Sequence, residues 1–124
     1  MRLLLAVDGS GPSLLATRFA RRLYRDAREM SIVLLHVTPA EADAETRARA
    51  TAGATAILAE EDVPYELEVV EGDPVQKIVE RAQEQDCDFI VVGARGLGAI
   101  REALLGSVSS GLLKNATVPV TIVQ

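Results

Sequence analysis

Residues 89–123 read FIVVGARGLGAIREALLGSVSSGLLKNATVPVTIV and carry the clearest indication of the fold. It begins with a short apolar run, passes through a glycine-rich segment into a helical pattern, and ends in a second apolar run. Glycines stand at positions 93, 96, 98, 106 and 111. Glycine within regular structure costs roughly 0.5–1 kcal/mol relative to alanine. The cluster therefore predicts either an awkward turn or a ligand that approaches the backbone.

Similar apolar runs recur along the whole chain, at residues 3–7, 32–37, 65–70, 89–92 and 118–123. Most of them lack polar alternation, which is typical of strands buried on both faces of a parallel sheet. The third run alternates between apolar and acidic residues, and Pro119 interrupts the fifth. Both features favour edge strands, because an edge is half exposed and tolerates a residue without an N–H.

Helical patterns fill the intervals between these runs. Residues 13–30 carry apolar residues at helical spacing, residues 41–61 are rich in alanine, and residues 74–85 and the segment from Gly106 complete the series. The apolar positions of the first helix are Leu15, Phe19, Leu23 and Ala27. The alternation predicts an α/β fold, an open doubly wound five-stranded parallel sheet with strand order 3-2-1-4-5 and helices on both faces. A chain of 124 residues fits one domain, residues 1–124.

Composition limits the partners and the chemistry. The formal net charge of -5 disfavours nucleic acid or an anionic membrane surface as the main partner. No apolar run approaches the roughly 18–20 residues of a membrane span, and Cys87 alone forms no internal disulfide, so we expect a cytoplasmic protein. His36 is expected to pack in the core. One histidine assembles no catalytic triad, so no catalytic residue and no metal-ligating side chain is assigned.

The loops after the strands are where a ligand is expected, because an open parallel sheet binds ligands beyond the carboxyl ends of its strands. Two familiar phosphate motifs fail there. Leu14 stands where a dinucleotide-binding fingerprint needs its third glycine, and Lys114 lies two places beyond the lysine position of a P-loop.

The helix that opens at Gly106 offers a third kind of phosphate site. Its first N–H groups and positive dipole end favour an anion, and the hydroxyls of Ser107 and Ser109 add donors. Gly96 and Gly98 allow the backbone to approach the same anion. From the residues alone, a tight turn with a helix cap and no ligand remains the alternative, and Asp8 is either a ligand residue or a turn residue.

The spacing Gly93-x2-Gly96-x9-Gly106-Ser107 resembles the G-x2-G-x9-G-[ST] signature of the nucleotide-binding branch of the universal stress protein family. The resemblance covers the whole chain, through LLAVDGS, LLHV, EGDP, DFIVVGARG and VPVTIV. It implies that Asp8 binds the ribose, while Ala6, Val7 and Val37 frame the adenine. Gly93, Arg95 and Gly96 would line the ribose and phosphate side, and the phosphates would lie on Gly106, Ser107, Val108 and Ser109.

By this resemblance we expect an ATP-binding stress protein that acts as a nucleotide-dependent binding or regulatory module, with Mg²⁺ held through the phosphates. Slow ATP hydrolysis or nucleotidyl transfer is one alternative. A stress protein that binds no nucleotide and acts through partner contacts is another. The unguarded edge from Val118 to Val123 predicts a homodimer, which the resemblance also implies.

Overall fold

The computed structural model describes residues 1–94 and 106–124 of the chain. Strands and helices alternate through these residues as the sequence predicts. The strands are β1 Arg2–Ala6, β2 Ser31–Thr38, β3 Glu66–Glu71, β4 Phe89–Gly93 and β5 Val120–Val123. The helices are α1 Gly11–Asp26, α2 Ala44–Ala59, α3 Pro74–Glu84 and α4 Ser107–Asn115.

The five strands form one parallel sheet in the order β3-β2-β1-β4-β5. In the centre, Leu4 of β1 lies opposite Val33 of β2 on one side and Ile90 of β4 on the other. The predicted fold class, the strand order and the two edge strands are therefore confirmed. The order also places β1 between the two halves of the sheet, which matters for the site described below.

Two apolar cores cover the two faces of the sheet because successive side chains of a strand point to opposite faces. Leu3 and Leu5 of β1 pack with Ala16 of α1 and Leu58 of α2. On the other face, Leu4 belongs to the core that α3 and α4 complete with Ile78 and Leu112. Each helix pair thus covers one face, as a doubly wound sheet requires.

The buried face of α1 differs from the apolar stripe seen in the sequence. Leu15 is 46% exposed, and Ala27 lies beyond the last helical residue and is exposed. The helix instead buries the small residues Ser13, Ala16, Thr17 and Ala20. Small side chains let a helix approach the sheet closely at the packing density of a protein core.

Helix and strand ends also shift from their predicted positions. Helix α2 begins at Ala44, because the carboxylate of Asp43 accepts a hydrogen bond from the Thr46 N–H at 2.8 Å and caps the first turn. Strand β5 begins at Val120, after the proline. Among the helices in residues 1–94 and 106–124, none has both the length and the apolar character that crossing a membrane requires.

Candidate functional site

The candidate site lies where the strand order of the sheet reverses, between β1 and β4. From β1 the chain proceeds through β2 to β3 on one side, whereas β4 and β5 lie on the other side. The connections after β1 and β4 therefore leave in opposite directions, and a crevice opens beyond the carboxyl ends of these two strands. Asp8 follows β1, and Gly93 ends β4, so both residues lie at this end of two adjacent strands.

The turn after β1 is fixed by hydrogen bonds around Asp8. Oδ1 of Asp8 accepts from the Ser10 N–H at 2.9 Å, and the Asp8 N–H donates to Oγ of Ser13 at 3.0 Å. Gly9 has a φ of +85° and lies so close to α2 that a Cβ would stand 3.2 Å from Cα of Ala50. Asp8 thus shapes the turn, and its half-buried carboxylate is held in a defined place just beyond the end of β1.

Gly93 is required by packing against α1. A Cβ at this position would lie 2.5 Å from the carbonyl carbon of Pro12 and 2.6 Å from its oxygen. Only a residue without a side chain lets the first turn of α1 rest on the end of β4. Gly111 has a similar role in α4, where a Cβ would stand 2.6 Å from Cγ2 of Val75 in α3. Packing thus explains two of the five glycines in the opening stretch.

The start of α4 is anchored to the end of β4. The Gly106 N–H donates to the Ala94 carbonyl at 2.8 Å, and the Ala94 N–H donates to the Val123 carbonyl at 2.9 Å. These bonds hold the beginning of α4 beside β4 and β5. Arg95, Gly96 and Gly98, three of the predicted nucleotide-binding residues, lie outside the described residues.

The first turn of α4 presents backbone donors. Gly106 is the N-cap residue, with φ -64° and ψ 165°, and it has no side chain to cap the helix. The N–H groups of Ser107, Val108 and Ser109 belong to the first turn, where helical geometry supplies no carbonyl partner. The first turn contains no acidic residue. The dipole end of α4 therefore lies beside β4 without a carboxylate of its own first turn to balance it.

Ser109 has a structural contact that the sequence did not reveal. Its side chain is 2% exposed, and Oγ donates to the Gly93 carbonyl at 2.8 Å and lies 3.1 Å from the Ala94 carbonyl. The hydroxyl hydrogen of Ser109 thus ties α4 to the end of β4. Ser107, by contrast, is exposed. No spacing in the sequence distinguishes these two serines, because the difference depends on where β4 ends in space.

The predicted adenine-framing residues divide between the two faces of the sheet. Ala6 and Val37 border the core on the α3 and α4 face, as does Val108, one of the predicted phosphate-binding residues. The side chain of Val7 is buried in the opposite core and is 5% exposed. Alternation along β1 causes this separation, so only the backbone of Val7 remains near the α3 and α4 side.

His36 packs in the core, as the sequence predicts, and Cys87 is buried as well. His36 is 7% exposed, and Nδ1 lies 2.8 Å from the Val7 carbonyl. Cys87 is 5% exposed. Burial raises the pKa of the Cys87 thiol, while the Arg2 guanidinium opposes this shift and the Asp88 carboxylate adds to it. Within residues 1–94 and 106–124, no group of three His, Cys, Asp or Glu residues is close enough to hold a metal ion.

Fold and site together define a doubly wound α/β protein in which an aspartate follows β1 and a helix with a glycine N-cap begins beside β4, the strand that pairs with β1. Residues 1–124 match the sequence model of the universal stress protein family. A universal stress protein of Methanocaldococcus jannaschii is 30% identical over 138 residues, which is 99% of this chain and 81% of that protein. The chain belongs to the universal stress protein family.

Solved structures agree in fold. A universal stress protein from Archaeoglobus fulgidus in complex with dAMP is 26% identical, with a TM-score of 0.79 over 100% of this chain and 98% of that one. A universal stress protein in complex with cAMP is 27% identical, with a TM-score of 0.75 over 100% of this chain and 96% of that one. Alignments with two proteins of Bacillus subtilis, a stress response protein and a universal stress protein, are shorter and span 44% and 45% of those proteins.

Proposed function

We propose that this protein binds an adenine nucleotide, ATP in its working form, in the crevice beyond β1 and β4, and acts as a nucleotide-dependent binding or regulatory module in stress response. One observation carries the proposal. The first turn of α4, whose N-cap residue is a glycine, is held against the end of β4 by the bond from Gly106 to Ala94, and β4 pairs with β1, which Asp8 follows. A carboxylate facing a set of backbone donors suits a ribose joined to phosphates.

In this proposal each side of the crevice has its own part of the ligand. Asp8 accepts hydrogen bonds from the ribose hydroxyls, and Ala6 and Val37 flank the base. The N–H groups of the first turn of α4 bind the phosphates, with the Ser107 hydroxyl as a further donor. Gly93, Arg95, Gly96 and Gly98 complete the lining between ribose and phosphate. Mg²⁺ is held through phosphate oxygens, so the affinity of the protein for Mg²⁺ depends on the bound triphosphate.

The relatives support the nucleotide class. Two solved universal stress proteins of the same fold are described in complex with dAMP and with cAMP. Both ligands share adenine, a sugar and a phosphate. The preference for ATP rests on the resemblance of residues 93–107 to the G-x2-G-x9-G-[ST] signature and not on these ligands.

Equilibrium titration tests the proposal. We expect saturable binding of Mg-ATP in the micromolar to low millimolar range, weaker binding of AMP, and weaker binding again of adenosine. GTP serves as the control for the base, and mass spectrometry of the ligand retained after purification identifies the natural nucleotide. Absence of saturable binding for every adenine nucleotide would remove the proposal. Phosphate release, measured on the same samples, decides separately whether bound ATP is hydrolysed.

We also propose that residues 1–124 act as one cytoplasmic domain that forms a homodimer through the edge from Val118 to Val123. Pro119 does not blunt this edge, because its carbonyl accepts from the Ile90 N–H and its missing N–H is therefore on the β4 side. The outward groups belong to Val120 and Ile122. Their side chains pack against the α3 and α4 core, so lysines there would disturb the fold as well as the edge.

Proline at Val120 is the sharper test of the dimer, because it removes an outward N–H without adding a charge. We expect sedimentation at micromolar concentration to give a dimer for the wild type and a monomer for Val120→Pro. Thr121→Pro is the matched control, since it removes a donor toward β4 and should lower the melting temperature instead. A monomeric wild type would contradict the proposal.

A further inference from the structure

The ladder between β1 and β2 ends in a side chain. Its last backbone bond runs from the Val7 N–H to the Leu35 carbonyl at 2.9 Å. The Val7 carbonyl lies 2.8 Å from Nδ1 of His36. Because a carbonyl oxygen only accepts, Nδ1 carries the hydrogen and donates it. The imidazole therefore takes the place of the next donor in the ladder.

In an evenly spaced parallel ladder, the next donor to the Val7 carbonyl would be the N–H two residues beyond Leu35, that of Val37. The backbone bonds between described residues do not include it. His36 thus closes the ladder one step early. The peptide groups of Val37 then face the space that β1 leaves when the chain turns at Asp8.

The same bond fixes the Val7–Asp8 peptide plane from one side. The carbonyl of this plane is held by His36 at 2.8 Å, and its N–H is held by Oγ of Ser13 at 3.0 Å. His36 and Ser13 are both buried, at 7% and 4% exposure. A peptide plane held at both ends by buried side chains has little freedom to rotate, and it is the plane from which the Asp8 side chain leaves the backbone.

We infer that His36 is a positioning residue for the nucleotide site: by holding the Val7 carbonyl, it sets the direction of Asp8 and keeps the Val37 peptide groups available beside it. The inference rests on the proposed function, because it assigns His36 to the ribose and base half of that same site. It goes beyond a packing role, since a histidine that only filled space would not need its ring nitrogen on this carbonyl.

Two variants of nearly equal size separate the two roles. His36→Asn keeps an N–H donor at the position of Nδ1, whereas His36→Leu removes this donor. Both variants leave a cavity of similar size. We expect His36→Leu to weaken ATP and adenosine by the same factor, roughly tenfold for a lost buried hydrogen bond. His36→Asn should stay within about threefold of the wild type. Inorganic tripolyphosphate, which carries neither ribose nor base, should bind all three proteins equally.

Thr17→Val is the control for a general loss of stability. Thr17 of α1 is fully buried, and its Oγ1 donates to the Ser13 carbonyl at 2.9 Å. The variant therefore loses a buried hydrogen bond without touching the Val7 carbonyl. We expect it to lower the melting temperature and to keep the affinity for ATP. Equal affinity of His36→Leu and the wild type, where the wild type binds, would overturn the role of His36.

A wild type that binds no nucleotide would instead overturn the proposed function, and it would be recognised before any variant is compared. The ¹⁵N spectrum of the imidazole tests the geometry on the unchanged protein, even if His36→Leu fails to fold. We expect the hydrogen on Nδ1. A hydrogen on Nε2 alone would contradict the inference, because Nδ1 would then have nothing to donate to Val7.

Discussion

Helices α3 and α4 begin at the same end of the sheet and on the same face, yet their first turns are built differently. At α3, the carboxylate of Asp73 accepts from the Gln76 N–H at 2.9 Å, and Pro74 occupies the first turn. At α4, the N-cap position holds Gly106, which has no side chain. Helices α1 and α2 are also capped by side chains, those of Ser10 and Asp43.

The difference shows that capping and anion binding compete for the same donors. A capping carboxylate satisfies an N–H of the first turn and balances the positive dipole end, which leaves less for a phosphate. Helix α3 contains its own anion and needs no ligand. Helix α4 has no acidic residue in its first turn, and it begins beside the end of β4, the strand that pairs with β1. A glycine at the N-cap position, which supplies no capping side chain, therefore marks the helix end that is suited to a ligand.

Exchanging the N-cap residues of α3 and α4 tests this difference and has the largest expected effect on nucleotide affinity. In Gly106→Asp, the new carboxylate would accept from the Ser109 N–H and repel a bound phosphate. At about 4 Å and an effective dielectric constant near 20, repulsion of this kind is worth up to roughly 4 kcal/mol. We expect the affinity for ATP to fall by on the order of 100-fold, as measured by titration.

Asp73→Gly is the reverse exchange and the control. Either exchange should change the stability by only a few tenths of a kcal/mol, because glycine and aspartate are both accepted at an N-cap. Asp73→Gly should therefore leave nucleotide affinity unchanged. If Gly106→Asp binds ATP as tightly as the wild type does, the phosphates do not lie on α4.

The sequence predicted helices α3 and α4 and the sheet on which they pack. It did not reveal that Gly93 packs against α1. Continuous apolar runs in β1, β2 and β4 and the interrupted runs at the edges indicate the strand order. The contact of Gly93 with Pro12 joins positions far apart in sequence, so no local pattern reveals it. For the same reason the small residues of α1, and not Leu15, turned out to be the face against the sheet.

Gly93→Ala tests whether packing, and not only a ligand, requires glycine at the end of β4. Its Cβ would overlap the backbone of Pro12, which cannot move as a flexible side chain would. We expect a loss of about 1–3 kcal/mol in the free energy of unfolding, measured by denaturant titration. Gly11→Ala is the matched control, because a Cβ there meets nothing within 4 Å. Equal stability of the two variants would exclude the packing role.

The two serines at the start of α4 are expected to have different and smaller effects, Ser109 on stability and Ser107 on nucleotide affinity. Ser109→Ala removes the buried bond to the Gly93 carbonyl, so we expect a loss of about 1 kcal/mol in the free energy of unfolding.

Ser107 is exposed, and Ser107→Ala should leave stability unchanged. If the hydroxyl binds a phosphate, the variant should weaken ATP binding by about 1–3 kcal/mol. Melting curves and titrations on both variants check this. A Ser107→Ala protein with unchanged affinity would restrict the phosphate contacts to the backbone.

The capped end of α2 gives the smallest effect, and it depends on pH. The Thr46 hydrogen bond lowers the pKa of the exposed Asp43 carboxyl below its usual range, with Arg49 acting in the same direction. A lowered pKa in the folded state means that the cap stabilises the protein fully above about pH 4, the ordinary value of an aspartate, and that this contribution is lost as the pH falls through the lowered value.

Asp43→Asn isolates this contribution, because asparagine caps a helix about as well as aspartate and does not titrate. We expect the wild type to melt slightly above Asp43→Asn at pH 7 and low ionic strength, and the gap to close as the pH falls below 4. Salt should reduce the gap, since an exposed carboxylate is screened. A gap that is independent of pH would mean that the charge of Asp43 contributes nothing at α2.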